Sequence, residues 1–402
     1  MQGILSNVKV LELTHSLAGA FCAKLMGDQG ANVIKIEPPG RGDGARHEPP
    51  FIGGAPHPER STLFLAYNTN KRGVTLDVGT PSGKELFLRL VKETDVLVES
   101  HTPSSLEEMG LEFTALQEVN PRLVLTSITY FGQNGPYTDY HGDDLIAQAL
   151  GGFLYAVTGL ADRPPMGTAL YQMEVTAARN AAIATMAALV QQGDTGEGQH
   201  IDVSTFEATV SVPGGLIQQY TYLGGVQRRG GGENSVMDGM HLKTLDGEVT
   251  LTTAGTGGRA MEAWAEFLGE PAILDPKFTD RRTRTRNWKE LYDLVQNKLA
   301  QWNNLDLMRE ATARGLVIGL VQDPVQVATS PHLQERGFLL ELDHPEAGRL
   351  KYPGPAFLLD GENPSAGGRA APTLGEHNLE VYCGQLGLST HELSALAAAG
   401  VV

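Results

Sequence analysis

A doubly wound α/β fold accompanied by a second, smaller α/β domain is what this sequence predicts, and three observations predict it. Short β-branched runs alternate with helical stretches through the first two hundred residues. The chain has 402 residues, 41% of them hydrophobic, enough for one large core and one lesser one. A glycine-rich break at residues 228–233 interrupts the alternation, which then resumes.

In chain order, residues 8–13 alternate and read as a strand, residues 16–20 are small, residues 21–28 are helical in pattern, and residues 31–36 read as a second strand. The unit repeats with strands at 73–76, 95–98 and 123–127 and a helix at 82–93. Right-handed crossovers make such strands parallel, so residues 1–200 read as one Rossmann-like layer structure. Residues 143–192 turn helical, 193–199 form a turn cluster and 201–203 return to strand. Beyond the glycine break, a strand at 247–252 and helices around 261–268 and 288–302 form the small domain. The last seventy residues, rich in Pro and Gly, read as extended wrapping chain ending in a helix near 390–399.

Acidic residues outnumber basic ones 47 to 31, and a net charge of -16 argues against a nucleic-acid partner. No apolar run approaches the ~20 residues of a membrane helix, and the N-terminus lacks a basic, apolar leader, so no membrane association and a cytoplasmic location are expected. Cys22 and Cys383, without paired spacing, predict plain thiols rather than a disulfide scaffold or a zinc site. The opening β-α-β unit with Glu37 at the end of its second strand suggests nucleotide binding. His15-Ser16-Leu17-Ala18-Gly19-Ala20, however, lacks the glycine spacing that brings a pyrophosphate onto a helix start, which argues against a nicotinamide or flavin enzyme.

Several segments read together are more specific. They are Val10-Leu11-Glu12-Leu13-Thr14 with Leu17-Ala18-Gly19, residues 30–40 (GANVIKIEPPG) with Gly42-Asp43 and Arg46, and residues 70–77 (NKRGVTLD). Phe131-Gly132-Gln133 with Gly135-Pro136, residues 144–149 (DLIAQA) with Gly151-Gly152, Ser330-Pro331-His332-Leu333 with Arg336, and Ala371-Pro372 with residues 374–377 complete the set. In order and spacing the chain resembles the class III CoA-transferases, a group including formyl-CoA:oxalate and carnitine CoA-transferases and α-methylacyl-CoA racemases.

That resemblance implies a large domain built from both chain ends (1–200 and 330–402), a linker (201–228), a small domain (229–329) and two subunits interlocked like chain links. It implies no permanently bound cofactor, with coenzyme A or acyl-CoA and a small carboxylic acid as substrates. The family nucleophile is an aspartate that attacks an acyl-CoA thioester; counted back from Ala187-Ala188-Leu189, its position here is Glu174. Glu keeps the carboxylate and adds a methylene, a displacement of the ~1 Å order that can cost a hundredfold in rate. The alternative is that Glu174 only begins a helix, where an acid suits the dipole.

The resemblance assigns CoA contacts to His15, Leu17, Ala18, Lys71, Arg72, Ser100 and His101, and the phosphates call for a basic cluster drawn from Lys35, Arg41, Arg46, Lys71 and Arg72. Two positions that hold the nucleotide with arginine in the family are here Pro38 and Glu108, and an Asn-Phe pair is here Ser100-His101. The racemase proton-transfer pair falls on Asp143 and Glu174, which argues against racemisation, and Asp144 reads as a capping or turn residue. The segment Arg228–Glu233 fits a linker, or the mobile glycine loop of some relatives. Three readings follow: a degenerate subunit paired with a catalytic homologue, as in the two-subunit benzylsuccinate CoA-transferase system, with CoA bound here or only at the partner; a homodimer using Glu174; and a non-enzymatic scaffold.

Overall fold

A computed structural model describes residues 3–159, 163–212, 214–229, 240–252 and 259–402. The expected alternation is realised as β1 (Lys9–Leu13), α1 (Leu17–Gly27), β2 (Asn32–Glu37), α2 (Thr62–Tyr67), β3 (Lys71–Thr75), α3 (Pro81–Val91), β4 (Val96–Glu99), α4 (Pro103–Met109), α5 (Phe113–Val119) and β5 (Val124–Thr129). Then come α6 (Asp144–Leu150), α7 (Phe153–Ala156), α8 (Gln172–Thr195), β6 (His200–Ser204) and α9 (Thr205–Ser211). The six strands form one parallel sheet in the order β3-β2-β1-β4-β5-β6, the arrangement of a Rossmann-like sheet.

The period of two along each strand builds a core on both faces. Val10, Val33, Val96, Val98 and Val124 turn to one side and pack on Ala18, Cys22 and Met26 of α1 and Ala177, Ala178 and Ala181 of α8. Leu11, Leu13, Ile34, Ile36, Leu97 and Leu125 turn to the other, against Leu86, Phe87 and Leu90 of α3. Burial pushes the Cys22 thiol up to about 12, a core thiol without nucleophilic character.

Helix α1 begins four residues before the apolar pattern suggested. Ser16 accepts from the Gly19 amide at 3.1 Å as N-cap, so the small residues are helix and not loop. Gly19 is required there: a Cβ would stand 2.5 Å from Thr14.

The C-terminal segment is not merely extended. It contains a hairpin of β10 (Leu339–His344) and β11 (Gly348–Pro353), a π-helix (Leu379–Gln385) and a last helix (Thr390–Ala398). It protects the edge strand β3: Asn378 accepts from the Thr75 amide at 2.9 Å, His377 accepts from the Gly73 amide at 3.2 Å, and Tyr382 donates to the Thr75 carbonyl at 2.7 Å.

By contacts the chain divides into one unit of Met1–Phe153, Thr168–Gly214 and Gln334–Val402, and another of Leu154–Gly167 and Gly215–Leu333. The second holds an antiparallel sheet of β7 (Met240–Lys243), β8 (Glu248–Thr252) and β9 (Val317–Leu320) around a core that includes Trp264, Phe278 and Leu291. Of the glycine cluster, residues 230–233 lie outside the described residues. No helix among the described residues is long and apolar enough to cross a membrane.

Candidate active site

Parallel sheets of this order leave a crevice beyond the C-terminal ends of β1 and β4, where the strand order reverses. His15 follows β1, Ser100 follows β4, and Tyr130 follows β5; all three line a cavity of about 420 Å³ together with Leu17, Ala18, Tyr67, Tyr171 and Glu174.

Glu174 enters from the first turn of α8. That helix has no cap of its own, since Tyr171 at its start is left-handed (φ 52) and provides no side-chain bond. Asp144, at the start of α6, does the capping from across the fold: its Oδ1 accepts from the Met173 amide at 2.8 Å and the Glu174 amide at 3.1 Å, and its Oδ2 accepts from Gln148 at 2.6 Å. The Glu174 side chain is buried, and both carboxylate oxygens are held. Tyr130 donates its hydroxyl proton to Oε1 at 2.7 Å, and the Ala18 amide at the start of α1 donates to Oε2 at 3.1 Å.

Burial raises the Glu174 pKa above the ordinary carboxylate value, and Asp144 adds to the rise; Tyr130 and the Ala18 and Leu17 amides resist it. The result is a desolvated, oriented carboxylate with neutral donors and, among the described residues, no cation paired with it, the state in which an acid is a usable nucleophile.

His15 and Ser100 stand close by. The His15 amide donates to Ser100 Oγ at 2.9 Å, and Ser100 Oγ lies 3.4 Å from His15 Nδ1. His101 is set behind them, its ring edge-on to His15 at 5.0 Å between centroids and its amide donating to Glu99 Oε2 at 2.6 Å. Burial, then the neighbouring His101, lowers the His15 pKa, so its imidazole is a neutral group at pH 7.

The basic cluster expected at the CoA phosphates is placed otherwise. Lys35 lies opposite Glu12 in the β1–β2 register and is paired with Glu12 at 2.7 Å and Asp43 at 2.6 Å, fully buried. Lys71 donates to Asn68 at 2.7 Å and the Ala20 carbonyl at 2.8 Å and is ion-paired with Glu12 at 2.7 Å. Arg46 forks onto Glu37 at 2.6 and 2.8 Å, reaches Glu59 at 2.6 Å and lies 3.7 Å over the Phe64 ring. Arg72, near the opposite end of the sheet, binds Glu380 and Asn32, each at 2.7 Å.

These cations hold the fold. Their carboxylate partners come from neighbouring strands, loops and the C-terminal π-helix, which linear reading could not bring together. Of the five, Arg41 alone is exposed. Pro38 and Glu108 are exposed and do not line the cavity, and none of the described residues lining it is Lys or Arg.

The sequence reading missed the tyrosines. Tyr67, Tyr130 and Tyr171 each have a pKa raised by burial and by the nearby Glu174 charge. The available signal was positional: Tyr130 immediately follows β5, at the same end of the sheet as His15 after β1 and Ser100 after β4.

Residues 5–378 match the sequence profile of CoA-transferase family III. The chain is 32% identical over 400 residues to the succinyl-CoA–D-citramalate CoA-transferase of Chloroflexus aurantiacus, covering 99% of this chain and 98% of that protein. It is 30% identical over 403 residues to the human succinyl-CoA:glutarate CoA-transferase, covering 99% and 90%. A CaiB/BaiF family protein from Brucella suis superposes over the full length of both chains with a TM-score of 0.81 at 29% identity. With a profile match that spans most of its length and full-length relatives of this kind, the chain belongs to CoA-transferase family III.

Proposed function

We propose that this chain moves CoA from succinyl-CoA to a small dicarboxylic acid, with Glu174 as the nucleophile. The observation that carries this reading is the buried Glu174 carboxylate, oriented by Tyr130 and the Ala18 amide in the crevice beyond β1 and β4. The citramalate and glutarate enzymes among its relatives supply the substrate class.

A Glu174 oxygen bonds to the thioester carbonyl carbon as the C–S bond breaks, giving a succinyl–glutamyl anhydride and CoA thiolate. The thiolate attacks the glutamyl carbonyl carbon, releasing succinate and leaving Glu174 as a CoA thioester. The second acid's carboxylate then displaces CoA from Glu174, and the thiolate takes the acid's carbonyl, restoring the free carboxylate.

Two neutral amides at the start of α1 suit the oxyanion that develops at the glutamyl carbonyl. Incubating the purified chain with succinyl-CoA and glutarate, adding hydroxylamine and locating the adduct by mass spectrometry tests this reading. A hydroxamate at Glu174 supports it; turnover with no adduct there refutes it.

A second reading has one observation in its favour. The described lining of the cavity holds no Lys or Arg to face a nucleotide, and the two family arginine positions are Pro38 and Glu108. In this reading the chain works paired with a homologous subunit that binds the CoA, in an interlocked dimer. Exposed apolar side chains on both units, among them Ile183 (64%), Val190 (71%) and Leu223 (82%), favour association of some kind. Transfer by the chain alone at ordinary enzymatic rates excludes the paired form; transfer only after co-expression with a homologue establishes it.

A further inference from the structure

The carboxylate oxygens of Glu174 have unequal donors, and the difference has a chemical use. Oε2 lies on the backbone at the start of α1, where the Ala18 amide donates at 3.1 Å and cannot leave. Among the described residues Oε1 has a single side-chain donor, the Tyr130 hydroxyl at 2.7 Å. Burial, with Glu174 beside it, holds the phenol far above its ordinary pKa, so Tyr130 stays protonated and remains a donor at every working pH.

We propose that Tyr130 is a positioning residue for the glutamate nucleophile: it clamps Oε1 so that the longer side chain presents that oxygen to the thioester while Oε2 stays on the α1 amides. The proposal rests on the reading of Glu174 as nucleophile. In the first step the Tyr130 hydrogen bond is released as Oε1 bonds to the acyl carbon and the C–S bond breaks. Oε2 becomes the glutamyl carbonyl oxygen without moving. When CoA thiolate attacks the glutamyl carbon, the bond from that carbon to Oε1 breaks, Oε1 departs in the released carboxylate, and Tyr130 is again placed to donate to it.

An aspartate would end one methylene short of this clamp, so Tyr130 matters here because the nucleophile is glutamate. Of the titratable groups about Glu174, Asp144 on α6 raises its pKa and Tyr130 lowers it, while Tyr67 on α2 and Tyr171 before α8 have their own pKa values raised by its charge. Tyr130 is the one of these whose hydrogen bond favours the charged carboxylate.

The test is Tyr130→Phe, alone and combined with Glu174→Asp, in the assembly that transfers CoA from succinyl-CoA. Tyr130→Phe is expected to lower kcat at least tenfold with both KM values within twofold, to slow Glu174 hydroxamate formation equally, and to move the acid limb of the kcat–pH profile to higher pH. In the Glu174→Asp background the same substitution is expected to cost less than threefold. Thermal melting checks that each variant folds, and Tyr130→His, which restores a donor, is expected to recover part of the rate. Equal losses in both backgrounds, or an unchanged kcat and acid limb, overturn the proposal. Absence of a Glu174 hydroxamate in the unaltered protein overturns the nucleophile reading and this one with it, whereas a hydroxamate that Tyr130→Phe forms at full rate overturns the Tyr130 role alone.

Discussion

Two glutamates of the same Rossmann-like unit are buried, and they are buried differently. Glu12, in the middle of the sheet, is fully enclosed with Lys35 and Lys71 each at 2.7 Å and Thr14 donating at 2.8 Å. Burial works against its charge, yet the two lysines overcome it and hold the pKa below the ordinary carboxylate value. Among the described residues Glu174 has only neutral donors, a phenol and backbone amides, and burial carries its pKa upward. A buried carboxylate saturated with cations is committed to the fold. One held by neutral donors keeps its basicity and can react.

The largest expected effect breaks the reactive side of this contrast. Glu174→Gln is expected, from the proposed nucleophile role, to lower kcat by about 10⁴ or more, at least about 5 kcal/mol of transition-state stabilisation. CoA transfer assayed by chromatography of the acyl-CoA products checks it, and a residual rate within tenfold of the unaltered chain would remove Glu174 from the chemistry.

Next comes the structural side. Lys35→Met removes the cation shared by Glu12 and Asp43 and leaves buried charge uncompensated, for which about 3–5 kcal/mol of stability is expected. The urea midpoint measures this; a change under about 1 kcal/mol would mean that Lys71 alone suffices for Glu12.

Strand alternation was legible because period-two apolar patterns on parallel strands survive in linear order: Val10 and Leu11, adjacent in sequence, serve opposite cores. The counted position of Glu174 fell on a cavity wall for the same reason, since a helix has a constant rise and a count along it preserves place. What linear order hides is who meets whom. Lys35 and Lys71 look like free cations until the parallel register sets Lys35 beside Glu12 and the Lys71 side chain reaches the same carboxylate from β3. Tyr130 is 44 residues from Glu174, and nothing local to either forecasts their hydrogen bond.

Asp144→Asn should have a smaller effect and sharpens the contrast through charge. Asp144 pushes the Glu174 pKa upward while capping α8 through its Oδ1. The amide keeps one acceptor for the Met173 and Glu174 amides but sets a second NH₂ against Gln148, so a loss of about 1–2 kcal/mol is expected. Without the neighbouring charge Glu174 ionises more readily, and the acid limb of the kcat–pH profile should move to lower pH. A limb that stays in place would show that Asp144 acts on Glu174 only as a cap.

The smallest effect has the most telling sign. Because the folded-state pKa of Glu174 is raised, the folded protein binds more protons than the unfolded chain between the ordinary carboxylate value and the raised one, so stability falls as pH rises through that window. Above it, Glu174 destabilises the fold. Glutamine removes the charge and keeps the bonds: its oxygen accepts from the Ala18 amide, and its NH₂ donates to Tyr130, whose hydroxyl turns to accept. Glu174→Gln is therefore expected to gain up to about 1 kcal/mol at pH 8, a gain of the kind that accompanies loss of a functional charge, and to gain nothing below the ordinary carboxylate range, where the glutamate is already neutral in both states. Glu12→Gln should do the reverse, losing stability at pH 8 because its folded-state pKa is lowered and the ion pairs it forms are complete there, and losing less as acid protonates the glutamate. Melting temperatures of the two variants at pH 4 and pH 8 decide the matter: if both substitutions destabilise at pH 8 by similar amounts, Glu174 is held as firmly by its neutral donors as Glu12 is by its cations, and the distinction between a structural and a reactive carboxylate fails in this fold.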